Sequence, residues 1–202
     1  DPYSSSKGAA EIAIASWRRS FFNPVDYGMK HHVALASVRA GNVIGGGDWA
    51  LDRIIPDCIK ALEAGKDIDI RSPKAIRPWQ HVLEPLSGYM LLATKMWEEP
   101  TKYCEGWNFG PRAESITPVW DIATDVIKIY GSGKLNDMSN PNVLHEAKLL
   151  MLDISKAKFQ LGWKPRMNIH RCIELTVDWY KRYKTEDAYD ICLDEINQFI
   201  NE

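Results

Sequence analysis

The chain has 202 residues, 45% of them hydrophobic, four cysteines and a formal net charge of -2. That apolar content can build one or two compact units with a buried core, while the small net charge excludes nucleic-acid or membrane-surface binding driven by bulk charge. No run approaches the roughly 18 apolar residues needed to cross a bilayer and no charged-then-apolar segment opens the chain, so a cytoplasmic protein is expected.

The first stretch, Asp1-Pro2-Tyr3-Ser4-Ser5-Ser6-Lys7-Gly8, runs into a segment whose apolar positions Ala9, Ile12, Ala13, Ala15 and Trp17 recur at helical spacing. A helix is predicted from about Ser4 to Phe22, stopped by Asn23-Pro24. Helical backbone from Tyr3 onward sets Tyr3 and Lys7 one turn apart on one face. An ammonium beside a phenol favours its ionised form, and the positive end of a helix dipole acts in the same direction. Such a pair can exchange a proton with a sugar hydroxyl. The same two residues also suit the first turn of an ordinary surface helix. Trp17, Phe21 and Phe22 are expected in the core.

The run His32 to Arg39 is short and largely apolar, as in a strand of a parallel sheet buried on both faces, and it leads into a Gly41-Asn42 turn. Ligands of open α/β sheets lie off the carboxyl ends of strands, which here means Ala40, Gly41 and Asn42. Gly45-Gly46-Gly47 lacks the Lys-Ser/Thr of a phosphate-binding loop and reads as a flexible loop. A helix is predicted over Asp52 to Ala64, with Ile55, Ile59 and Leu62 on one face and Gly65 beyond its end. Ile68 to Ile70 alternates as a short strand. Arg77, in Ile76-Arg77-Pro78-Trp79-Gln80-His81, carries the planar fork suited to a phosphate, although an arginine before Pro-Trp equally fits a solvated loop.

A helix from Leu83 or Glu84 to Glu98 is expected to bury Leu86, Met90, Leu91 and Met96. Trp107 to Gly110 forms a short strand. Thr117 as cap and Pro118 at the first position start a helix to Tyr130, stopped by Gly131. Leu149 to Asp153 is predicted as a strand, Ser155 caps a short helix to Leu161, and two helices over 168–183 and 186–200 finish the chain, the last with Asp194 and Glu195 exposed. Cys58, Cys104, Cys172 and Cys192 read as buried reduced thiols, and neither they nor the histidines, among them the adjacent His31 and His32, have metal-site spacing.

Several of these stretches together resemble the extended short-chain dehydrogenase/reductase family, in particular its NAD-dependent nucleotide-sugar epimerases and dehydratases. They are Pro2-Tyr3, Lys7-Gly8-Ala9-Ala10-Glu11 and Arg39-Ala40-Gly41-Asn42-Val43-Ile44-Gly45. Gly45 to Ala50, Asp52-Arg53-Ile54-Ile55-Pro56-Asp57 and Ile76 to Pro85 narrow the resemblance to members that act on CDP-glucose, and Leu161-Gly162-Trp163-Lys164-Pro165 extends it.

The resemblance implies an α/β fold: the C-terminal part of a Rossmann-type parallel sheet, about 1–45, with the Tyr-Lys helix, and a smaller mixed α/β substrate lobe, about 46–202, interleaved with it. It implies Tyr3 and Lys7 as catalytic residues that also contact NAD, Ala40 and Gly41 along the nicotinamide, and Asn42, Arg53, Arg77 and His145 on the nucleotide sugar. His145 equally fits a solvent-facing loop. The implied reaction is 4,6-dehydration of CDP-glucose for deoxysugar synthesis, in a protein that is a homodimer when intact. A 4-epimerase and a non-catalytic nucleotide-sugar-binding module are the rival readings. Relatives carry a glycine-rich dinucleotide fingerprint and a Thr-Asp dehydration motif upstream of the tyrosine. Neither occurs here, so an upstream portion of roughly 150 residues is expected, and this chain alone is expected to be inactive and aggregation-prone.

Overall fold

The computed structural model describes residues 1–140 and 150–202. They divide into two units, each drawn from three separate stretches of sequence.

The first unit comprises 1–40, 86–109 and 153–164. Its leading helix, α1 (Pro2–Ser20), begins two residues earlier than the apolar period suggests, because Asp1 caps it: Oδ1 accepts from the Ser4 amide at 2.8 Å and Pro2 sits in the first turn. The helix buries none of its residues, and Trp17 and Phe21, expected in the core, are exposed and pack on each other with ring centroids 5.1 Å apart.

Only Ser37–Ala40 of the apolar run forms a strand, β1. It pairs in parallel with β6 (Gly106–Phe109), Ala40 opposite Phe109. Burial on both faces is not observed: Val38 is 40% exposed, and β1 pairs with one strand among the described residues.

Helix α3 (Leu83–Glu98) joins this unit from residue 86 onward. Its inward face carries buried Leu92, with Tyr89, Leu91 and Met96 packed against the same core, so two members of the expected stripe, Leu91 and Met96, face inward, whereas Leu86 and Met90 point outward, Met90 71% exposed. A Cβ on Gly88 would fall 2.2 Å from the Phe109 ring, so the helix lies directly on β6. Phe109 meets Trp163 edge-on at 5.0 Å, and Trp163 Nε1 donates to Ser87 Oγ at 3.0 Å. No strand forms over 150–153, where Asp153 instead accepts from the Ser155 amide at 2.8 Å and takes the capping role expected of Ser155. A π-helical turn, Ala157–Leu161, follows.

The second unit comprises 41–85, 110–152 and 165–202. β2 (Asn42–Ile44) pairs in parallel with β5 (Trp79–His81), β3 (Ile68–Ile70) in parallel with β8 (Leu135–Asp137), and β4 (Ile76–Arg77) antiparallel with β7 (Thr117–Pro118). Asn42 therefore opens a strand rather than completing a turn. Four helices pack around these pairs: α2 (Ile54–Glu63), α4 (Val119–Tyr130), α5 (Ile169–Arg182) and α6 (Ala188–Asn201). α2 buries Ile55, Cys58, Ile59 and Leu62, the period its sequence announces.

α4 starts one residue later than expected, with Pro118 at the cap position, because Thr117 and Pro118 are paired with β4. It ends at Gly131, whose φ of 100° is left-handed and disfavours a residue with a Cβ. Asn168 caps α5 by accepting from the Arg171 amide at 2.9 Å. α6 corrects two expectations. Glu195 is buried, 6% exposed, because Ile191, Glu195 and Phe199 share the face packed on the core, and Cys192, one position off that face, is exposed.

Candidate active site

Tyr3 and Lys7 lie in the first two turns of α1, where the spacing that suggested them puts Lys7 Nζ 5.6 Å from the centre of the Tyr3 ring. Tyr3 is 71% exposed, so its hydroxyl is open to a ligand. One turn further along the same face, Glu11 secures the helix to β1. Its Oε2 accepts from Ser37 Oγ at 2.9 Å and its Oε1 lies 3.7 Å from Arg39 Nε. Tyr3, Lys7 and Glu11 thus form one stripe at successive helical turns, anchored at its inner end to the strand that terminates in Ala40. Sequence reasoning assigned Glu11 no role; its i+8 spacing from Tyr3 is the signal that could have found it.

In the second unit, Gly41 passes so close to Pro78 that a Cβ would lie 2.4 Å from the Pro78 carbonyl oxygen, which reserves the position for glycine. Asn42 stands opposite Trp79 at the start of the β2–β5 pair. Arg77, one residue before Pro78, is half-buried; its Nη1 donates to the Ile76 carbonyl at 2.8 Å and its backbone pairs with Thr117. Gly41, Asn42 and Arg77 are therefore brought to one locality. Arg53 stands at the head of α2 with its side chain exposed. His145 lies outside the described residues.

Behind Arg77, β5 runs into a buried polar floor. His81 is fully buried, which depresses its pKa to about 4 with the Arg171 charge acting in the same direction, so the ring is neutral near pH 7. Glu84 is likewise buried, and burial pushes its carboxyl up, against the pull of two backbone donors, the Met167 amide at 2.6 Å and the Arg166 amide at 2.8 Å. These bonds tie the start of α3 to the segment entering α5, a structural role.

Gly45-Gly46-Gly47 is not a free loop. A Cβ on Gly46 would fall 2.0 Å from Trp179 Cγ of α5, so this backbone lies flat on an indole.

No family model matches the chain. Sequence comparison finds CDP-glucose 4,6-dehydratase of Salmonella typhimurium, 48% identical over 192 residues, which are 95% of this chain and 53% of the relative. UDP-glucose 4-epimerase of Mycoplasma pneumoniae is 23% identical, with 91% of this chain and 54% of that protein covered. Among solved structures, dTDP-glucose 4,6-dehydratase of Bacillus anthracis in complex with NAD matches with a TM-score of 0.73 at 19% identity, over 91% of this chain and 53% of that one. The chain has the Rossmann-type fold of these enzymes. UDP-glucuronic acid 4-epimerase of Bacillus cereus shares it, with a TM-score of 0.71 at 22% identity and the same coverage. The chain spans about half the length of each of these relatives. Among the described residues, no helix is long and apolar enough to cross a membrane.

Proposed function

We propose that the protein is a cytoplasmic nucleotide-sugar 4,6-dehydratase that converts CDP-glucose to CDP-4-keto-6-deoxyglucose, a precursor for deoxysugars, and that it works with NAD as a homodimer. The observation that carries the reading is the 48% identity to a CDP-glucose 4,6-dehydratase, maintained over 95% of this chain. The chemistry of the residues fits both ligands. Tyr3 and Lys7 present a hydroxyl and an ammonium on one exposed helix face. Gly41 offers a position without a side chain beside Asn42, and Arg77 adds a guanidinium in the same neighbourhood.

Bound NAD supplies the hydride store that oxidation at C4 and reduction at C6 require. Tyr3 Oη takes the proton of the glucose 4-hydroxyl as C4 is oxidised, and Lys7 offers donors to the nicotinamide ribose and a positive charge beside Tyr3. Ala40 and Gly41 leave room for the nicotinamide. Asn42 hydrogen-bonds the sugar nucleotide, Arg77 neutralises its diphosphate, and Arg53 and His145 add further substrate contacts. The 4-keto group acidifies the hydrogen on C5, so loss of that proton together with the C6 hydroxyl releases water. On this reading 1–45 closes the dinucleotide-binding sheet and most of 46–202 forms the substrate lobe.

A 4-epimerase is the second reading, favoured by the comparable fold match to epimerases. Incubating the full-length gene product with NAD and either CDP-glucose or dTDP-glucose, and reading the 4-keto sugar by its absorbance in alkali, separates the two. The expected result is keto-sugar from CDP-glucose, reduced at least ~100-fold in Tyr3→Phe. Inversion of glucose to galactose configuration without keto-sugar release would establish the epimerase instead.

A further inference from the structure

We infer that an aromatic clamp on α5 holds the loop between β2 and α2 in its substrate-binding form, making Trp49, Trp179 and Tyr180 positioning residues for the nucleotide sugar. The inference rests on the proposed function. The loop, residues 45–53, joins the strand that carries Asn42 to the helix headed by Arg53. Residues 49–53 are exposed and supply little core of their own. The loop nevertheless follows a demanding path: Gly47 has φ 77°, and Asp52, immediately before Arg53, is held at φ 58°, where non-glycine residues are rare.

The contacts that impose this path come from far along the chain. Gly46 lies flat on the Trp179 indole, with no room for a Cβ. Tyr180 Oη donates to the carbonyl of Asp48. The Trp49 ring meets Tyr180 edge-on at 5.1 Å and Tyr183 at 5.3 Å, while Trp179 stacks on Tyr183 at 5.4 Å with planes 5° apart. Lys60 Nζ closes the arrangement by donating to the Trp49 carbonyl at 2.7 Å. A loop fixed before ligand arrives need not be ordered at the moment of binding, so the clamp favours substrate binding without touching the reacting atoms.

The test uses the full-length gene product with two readouts: the kinetic constants for CDP-glucose, and the rate of tryptic cleavage after Arg53, followed by mass spectrometry. Tyr180→Phe keeps the ring and removes only the hydroxyl. It is expected to raise KM about fivefold, leave kcat within about twofold, and speed cleavage after Arg53 by a similar factor, the effect of losing one hydrogen bond that holds the loop. Gly46→Ala is expected to do more, and adding Trp179→Leu, which clears the collision, should recover part of the loss. A merely structural contribution of Trp179 would make the two changes additive instead. Unchanged KM and cleavage in Tyr180→Phe, in an enzyme whose KM rises in Arg53→Ala, would overturn the clamp and leave the dehydratase reading standing. Faster cleavage in a protein that does not turn over CDP-glucose would overturn the substrate assignment and with it the inference.

Discussion

Replacing Glu195 by glutamine should make the protein more stable at neutral and alkaline pH and leave it little changed in acid. Glu195 sits on the core face of α6, and among the described residues its Oε1 has no hydrogen-bond partner. Burial pushes its carboxyl up to about 7. Asp178 adds to the shift, Arg182 opposes it, and Asp194 adds a little more. The Arg182 guanidinium is itself shared among Asp178 at 3.2 Å, Glu186 at 2.8 Å and Asp194 at 2.8 Å.

With the folded pKa above the unfolded one, the folded state binds the extra proton between them, so stability is fully present below the unfolded value of 4.5 and is lost as pH rises through 7. At 1.36 kcal/mol per pH unit, the loss amounts to about 3 kcal/mol. Glutamine cannot ionise, and other titrating groups cancel in the comparison. Urea denaturation at a series of pH values from 4 to 8.5 should therefore show a difference between variant and parent that grows by about 3 kcal/mol and levels off near pH 8. A difference that stays constant over that range would show that Glu195 does not titrate in its buried site, and would refute the reasoning.

Two further outcomes follow from local geometry. Gly41→Ala places a methyl 2.4 Å from the Pro78 carbonyl; it should lower stability by about 1–3 kcal/mol in the same denaturation assay, with folding retained. Alkylation with iodoacetamide at pH 8, mapped by peptide mass spectrometry, should label exposed Cys192 rapidly and leave Cys58 and Cys172 unmodified until the protein unfolds, because burial pushes both thiols up to about 12.

Local chemistry made most helices and the Tyr3–Lys7 pair readable, because caps, stops and one-turn spacings involve neighbours in sequence. Asn168 opens α5 and Gly131 closes α4, as their residue types suggest. Burial was harder to read, since it depends on which face of an element meets a partner. On α3 the pattern contains two overlapping apolar stripes, and only Phe109 under Gly88 decides that Tyr89 and Leu92 face inward rather than Leu86 and Met90. On α6 the acidic pair hid a four-residue spacing, Ile191, Glu195, Phe199, whose middle member is the carboxylate. Gly46 looked like flexibility because its reason, the Trp179 indole, lies 133 positions further on.

Distant contacts also fix the backbone around the proposed site residues in each unit. Tyr3 and Lys7 belong to one unit, where Glu11 fixes their helix to β1 through Ser37 and Arg39. Asn42, Arg53 and Arg77 belong to the other, where Pro78 and the α5 aromatics fix the backbone that carries them. The anchors named for each set lie within its own unit. On the proposed function, weakening the Glu11 anchor is expected to lower kcat, whereas weakening the clamp on the 45–53 loop is expected to raise KM, and steady-state kinetics of Glu11→Gln and Tyr180→Phe check the split.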